Sequence, residues 1–158
     1  MTQAATNRTQ PEETSPKAVV ERYLDAMSRL DIDAQFAALA DDVVCSFPTA
    51  PGDGPKEIQG KENNRAFFTS VIRPMWSAFR LTRIAVHPLA DDPERVVAEF
   101  ASEGSLVDGS PYRNTYLALM TVRDGTILSY QEFSDPAPIV RGIAALQSAR
   151  PASESKPG

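Results

Sequence analysis

Apolar residues recur at helical spacing early in the chain, at Val20, Tyr23, Leu24, Met27 and Leu30. Steps of three and four place them on one stripe of a helix. Ser15-Pro16 supplies its start, serine as the N-cap and proline at the first helical position. A second, short helix is expected through Phe36 and Leu39, capped by Asp33. A third is expected from Lys61, with Phe67, Phe68, Val71, Ile72 and Met75 on its apolar side and Pro74 near its end. Beyond it the rhythm changes to strands. These are predicted over residues 79–88, 95–107, 116–122 and 127–133, with an earlier short strand over 43–47. Residues 48–60 hold three prolines and three glycines and read as a loop of the kind that rims a site. Residues 136–149 read as a last helix, weakened by Pro138 and Gly142.

Three helices followed by an antiparallel meander predict an α+β fold. The helices close one side of a curved sheet and make a cone with an interior pocket. Residues 15–149 are read as a single domain, with disordered tails over 1–14 and 150–158.

The last two strands carry the candidate chemistry. Asp124-Gly125 is a hairpin signal, and loop length decides which side chains share a face. A two-residue loop would set Glu132 opposite Leu117. A three-residue loop, Arg123-Asp124-Gly125, would set it opposite Tyr116. The three-residue closure is preferred, because it gathers Tyr112, Asn114 and Tyr116 with Tyr130 and Glu132 on one face. The other face then holds Arg113, Thr115, Leu117, Leu119, Gln131 and Phe133, a mixed patch suited to a partner subunit.

Composition narrows the classes. The 158 residues are 42% hydrophobic with a net charge of −5, enough for one domain with a core. No basic patch interleaved with aromatics suggests nucleic acid, and no apolar run is long enough for a bilayer. The start MTQAATNRTQPEETS lacks the apolar core of a signal peptide, so a cytoplasmic protein is expected. A lone cysteine, Cys45, excludes an internal disulfide, and a lone histidine, His87, excludes a histidine-rich metal site within one chain. Asp41-Asp42 and Asp91-Asp92 read as turn residues, Cys45 as a buried structural thiol and His87 as structural. No metal or cofactor is expected.

Each remaining candidate has two readings. Glu132 is either a solvated strand residue or a cavity acid. A carboxyl in an apolar cone has its pKa raised by desolvation, which suits proton transfer near neutrality. Tyr112, Tyr116 and Tyr130 are either core aromatics or substrate-binding hydroxyls. Asn114 is disfavoured in a strand centre, so it marks a strand end or a pocket donor. Trp76 and Phe68 line the pocket or fill the core.

The order of elements, with Asn114-Thr115-Tyr116, Asp124-Gly125 and Glu132-Phe133-Ser134-Asp135-Pro136, resembles the SnoaL-like branch of the nuclear-transport-factor-like superfamily. It is closest in look to the phenazine-biosynthesis A/B proteins, with Asp135 where those carry asparagine. Asp92-Pro93 and Val97-Ala98-Glu99 also match, and the resemblance covers about residues 16 to 146. It implies a homodimer packed through sheet surfaces and Glu132 as the acid/base residue of a small-molecule enzyme. It also puts Arg80 where the phenazine proteins have a pocket histidine, although by itself Arg80 reads as a surface or dimer-interface residue ahead of a ligand. Phe100-Ala101-Ser102 stands where limonene-type epoxide hydrolases need an Arg-x-Asp pair, which disfavours that chemistry. The expected activity is cyclisation, isomerisation, condensation or dehydration of an aromatic or polyketide-like substrate in secondary metabolism. The rivals are a cone that binds a ligand without turning it over, and a structural dimer with a filled cavity.

Overall fold

The computed structural model describes residues 12–150. Of the two expected tails, residues 1–11 and 151–158 lie outside the described residues, and Glu12–Thr14 forms a single 3₁₀ turn. Helix α1 (Pro16–Ser28) starts at the predicted cap, where the Ser15 hydroxyl accepts from the Ala18 N–H at 3.3 Å. Its inward stripe includes Val20, Tyr23, Leu24 and Met27, all buried.

Helix α2 (Ile32–Ala37) is capped by Asp31, not by Asp33. Leu30 ends α1 with a φ of 54°, and Asp31 then has extended backbone with its Oδ1 3.1 Å from the Ala34 N–H. Asp33 falls two residues late, inside the first turn, and pairs with Arg65 instead. Asp31→Ala is therefore expected to lower stability by about 1 kcal/mol. Asp33→Ala removes only an exposed ion pair and should cost about half that or less. Urea denaturation of the two variants separates these assignments.

Six strands form one open sheet: β1 (Leu39–Ser46), β2 (Glu57–Gln59), β3 (Trp76–Pro88), β4 (Arg95–Leu106), β5 (Pro111–Arg123) and β6 (Thr126–Ser134). Their order is β2-β1-β6-β5-β4-β3. The sheet is mixed, which corrects the expectation of a purely antiparallel one: β1 runs parallel to β6. The chain between these two strands is long enough to cross over, so no hairpin imposes an antiparallel pairing on them. Asp41 and Asp42 belong to β1 and not to a turn, with Asp41 3.0 Å from the Lys61 ammonium. His87 is exposed on β3, its Nε2 3.0 Å from Glu99.

Helix α3 (Lys61–Phe67) continues into a π-helical turn (Phe68–Ile72) and a 3₁₀ turn (Arg73–Met75). The expected helix has its full extent, but its second half is wound wide and then tight. Pro74 has no N–H to give an α-helical ladder. The Thr69 and Ser70 hydroxyls bond the Arg65 and Ala66 carbonyls that the widened turn leaves over. Helix α4 (Pro136–Ala149) is capped by Asp135, whose carboxylate accepts from the Ala137 N–H at 2.9 Å.

The β5–β6 hairpin corrects both registers considered from sequence. Arg123 pairs with Thr126, so the loop is the two-residue Asp124-Gly125. Both residues have positive φ, 50° and 76°, as a type I′ turn requires. Val122 pairs with Ile127 but Thr121 pairs with Ser129, so Leu128 is an extra residue in β6. That bulge shifts the register by one and sets Glu132 opposite Ala118, not Tyr116 or Leu117. A two-residue loop alone would have turned Glu132 outward. The bulge turns it back onto the face of Tyr112 and Tyr116.

Candidate active site

A cavity of about 240 Å³ lies between the helices and the concave face of the sheet. Tyr23 and Met27 of α1 and Phe36 of α2 cover it, with Phe68 from the π-helical turn. Tyr116, Tyr130, Glu132 and Cys45 form the sheet side, and Ile139 and Ile143 of α4 close one end. Thr49, Pro51 and Pro55 of the Pro/Gly loop add to the rim. Aromatic contacts brace the wall: Trp76 stacks on Phe79 with ring centres 4.1 Å apart, and Phe68 tilts against Phe36 at 5.9 Å.

Glu132 is the acid of this cavity. One carboxylate oxygen accepts a hydrogen bond from the Tyr130 hydroxyl, two residues away on the same face of β6. The residue keeps some accessible surface, but that surface belongs to the cavity wall. Burial pushes its pKa up to about 7, and the Tyr130 hydrogen bond offsets only part of that rise. Among the described residues no lysine, arginine or histidine lines the cavity, so no cation counters the desolvation. The Cys45 thiol, opposite Tyr130 in the sheet, is pushed up to about 12 by burial and then by the Glu132 charge. The hydroxyls of Tyr23, Tyr112, Tyr116 and Tyr130 are all raised, by burial first. Among the described residues of the wall, Glu132 is therefore the group that burial brings close to neutrality.

Trp76, Phe68, Tyr112, Tyr116 and Tyr130 are brought together with Glu132 in the cavity wall. Arg80 and Asn114 are not. Arg80 projects from the outer face, its side chain 68% exposed and paired with Glu103. It sits one residue from the inward-facing Phe79 and Leu81, so strand alternation turns it away.

Asn114 is buried, but its amide is occupied elsewhere. Its Nδ2 donates to the Asp135 carbonyl at 2.9 Å, while Oδ1 accepts from the N–H groups of Thr115 at 2.8 Å and Asp135 at 3.2 Å. It fastens the start of α4 to β5. Asn114→Ala strands these partners and is expected to cost about 2 kcal/mol in chemical denaturation.

Three buried polar residues at or next to the site were not singled out from sequence, and one of them, Asn64, spends its amide on the Ile58 and Gly60 carbonyls at 3.0 and 2.8 Å. Gln35 lines the cavity, its Nε2 3.4 Å from the Tyr23 hydroxyl and its Oε1 without a partner among the described residues. Its spacing of three from Ile32, which packs against the core, puts it on the inward stripe of α2, a signal that could have found it. Ser102 bonds the Tyr116 hydroxyl at 2.9 Å, and the alternation Ala98, Phe100, Ser102 would have placed it inward.

Residues 20–130 match the model of the SnoaL-like domain. The chain is 27% identical over 120 residues to the uncharacterized YesE protein of Bacillus subtilis, covering 74% of this chain and 79% of that one. It is also 27% identical over 107 residues to an uncharacterized PhzA/B-like protein of Pseudomonas aeruginosa, covering 67% and 74%. In three dimensions it is similar to the crystal structure of a candidate isomerase from Bacillus subtilis. That likeness has a TM-score of 0.72 and 26% identity, over 84% of this chain and 94% of that one. Glu132 lies two residues beyond the matched segment, so its assignment rests on the geometry of the cavity.

Proposed function

The chain belongs to the SnoaL-like domain family, and on that footing we propose that it is an enzyme of small-molecule metabolism with Glu132 as its acid/base. The observation that carries this is a carboxyl desolvated to a pKa of about 7 in an apolar cavity that, among the described residues, no cation lines. Ionised, Glu132 takes a proton from carbon next to a carbonyl. Protonated, it returns that proton to another atom of the substrate. Ring closure, isomerisation, condensation and dehydration all need this shuttle, with no demand for a second catalytic acid.

A cavity of about 240 Å³ sits just under the usual ligand-pocket range of roughly 300–1,000 Å³, which favours a compact substrate. The aromatic wall favours a flat, ring-bearing one, aromatic or polyketide-like. The PhzA/B-like relative supports a place in secondary metabolism. Turnover by Glu132→Gln, followed against pH, tests the assignment. The wild-type rate is expected to titrate near pH 7, and the variant to lose both the titration and most of the rate. Undiminished turnover in Glu132→Gln refutes it.

A second reading is a binding protein, favoured by the absence of a second acid or a histidine from the wall among the described residues. Ligand recovered unchanged after hours, with equal affinity in Glu132→Gln, would support it.

A homodimer through the outer face of the sheet is part of the same proposal. Leu117 is 41% exposed there, flanked by its partly buried neighbours Leu119 and Phe133. A two-fold interface would bury this face on both copies. Sedimentation is expected to show a dimer at micromolar concentration, converted to monomer by Leu117→Arg. A wild-type monomer at that concentration rules it out.

A further inference from the structure

We propose that Ser102 and Tyr112 are positioning residues that hold the Tyr116 hydroxyl as a hydrogen-bond donor to the carbonyl oxygen of an uncharged ligand. This rests on the cavity being a substrate site, but not on Glu132 being its base. The Tyr116 oxygen lies 2.9 Å from Ser102 Oγ and 3.2 Å from the Tyr112 oxygen. Three hydroxyls bring three protons to two hydrogen bonds, so one proton is left over, and the surroundings decide which oxygen carries it.

Tyr112 cannot offer that proton to a ligand. It is 1% exposed, and among the described residues its hydroxyl has one hydrogen-bond partner, the Tyr116 oxygen. A buried hydroxyl proton needs an acceptor, so the Tyr112 proton points to that oxygen. Ser102 is 3% exposed and has Tyr116 as its side-chain partner. Tyr116 alone of the three keeps accessible surface, and it lines the cavity. With both neighbours donating to its oxygen, its own O–H is free for the cavity, and negative charge gathering on a ligand oxygen is shared along the chain.

The ring is held for this task. Phe100, opposite Tyr116 in the β4–β5 register, stacks on it with centres 4.8 Å apart and planes 14° apart. Glu132 lies diagonally across the β5–β6 pair from Tyr116, opposite Ala118 while Tyr116 is opposite Ser134, and both line the cavity, so the two groups address one region of it.

The wall also selects on charge. Among the described residues it carries no basic side chain, and its titratable groups are acids that burial drives toward their neutral forms. A carboxylate ligand would meet the same desolvation with nothing to offset it. An uncharged ketone would not.

Isotope-edited infrared spectroscopy with 1-indanone labelled at the carbonyl carbon tests this, with indane-1-carboxylate as the charged control. The bound ketone is expected to show a lowered carbonyl stretch and to outcompete the carboxylate. Tyr116→Phe should reverse most of the lowering and weaken binding about tenfold. Ser102→Ala should reverse part of it with about a threefold loss, and Ser102→Thr should restore both to within about twofold. Tyr112→Phe should match Ser102→Ala, which keeps the test open if the threonine variant fails to fold. Glu132→Gln should retain the Tyr116-dependent lowering. A stretch indifferent to Tyr116→Phe and Ser102→Ala overturns the proposal. So does equal binding of ketone and carboxylate, or no binding of the ketone at millimolar concentration. If the stretch responds to Tyr116 while turnover survives Glu132→Gln, the acid/base assignment falls and this one stands.

Discussion

Glu132→Gln is expected to raise the melting temperature at pH 8 to 9, to raise it only slightly at pH 5 and to leave it unchanged at pH 4. The folded protein holds the Glu132 proton up to about pH 7, against an ordinary value of 4.5. Between those two pH values the folded state binds more protons than the unfolded one, so stability falls as pH rises. Above pH 7 the full penalty of an ionised, desolvated carboxylate is present. Below 4.5 it vanishes. A rise from 4.5 to about 7, at about 1.36 kcal/mol per pH unit, makes that penalty about 3 kcal/mol at most.

Glutamine has the same shape and still accepts the Tyr130 hydrogen bond, but it never ionises. At roughly 2–4 °C per kcal/mol for a chain of this size, the gain at alkaline pH is several degrees. Equal melting temperatures for the two proteins across pH 5 to 9 would mean that the carboxyl is solvated and titrates normally. This measurement needs no substrate. Once a substrate is found, the same variant should lose about 10²- to 10⁴-fold in turnover. A protein stabilised by the substitution that disables it would show that the site holds its acid at the expense of folding.

Gly104→Ala is expected to abolish folding or cost more than about 4 kcal/mol. A Cβ there would sit 2.0 Å from the Ala78 carbonyl oxygen, 2.8 Å from its carbon and 3.0 Å from the Phe79 Cα. These are backbone atoms, so no rotamer change relieves the clash. Gly104 pairs with Phe79 where β3 is irregular between Trp76 and Ala78, and the two strands approach closely. Separating them would displace the Trp76–Phe79 stack and the cavity wall it braces.

Gly142→Ala is the control. Its Cβ would meet the Met75 sulfur at 2.8 Å, and a methionine side chain can move aside. Alanine also favours the helix by about 1 kcal/mol, so the net change should be small. Soluble yield and urea denaturation distinguish the two variants. A Gly104→Ala protein that melts within a few degrees of wild type would exclude the close β3–β4 approach.

The elements of this fold were legible because their signals are local. Ser15-Pro16 opens a helix, Asp124-Gly125 closes a hairpin, and helical or alternating spacing marks which residues face inward. Each acts within a few residues of itself. Alternation grouped Tyr112 with Tyr116 on one strand and Tyr130 with Glu132 on the next; the three-residue loop expected to join the two pairs does not form, and the bulge at Leu128 joins them instead.

The tertiary structure decided what depends on distant partners. The bulge at Leu128 has no Gly or Pro signature, yet it alone turns Glu132 inward through a two-residue loop. The parallel pairing of β1 with β6 joins segments about 85 residues apart. Asn114 is fastened to Asp135 and Arg80 is paired with Glu103, so neither reaches the cavity. Whether Glu132 is an ordinary acid or one poised near pH 7 depends on how much water it loses. That loss is set by α1, α2 and the turn after α3, which pack over it from elsewhere in the chain. Propensity acts along the backbone, whereas desolvation is summed over every neighbour in space, and only the folded chain specifies that sum.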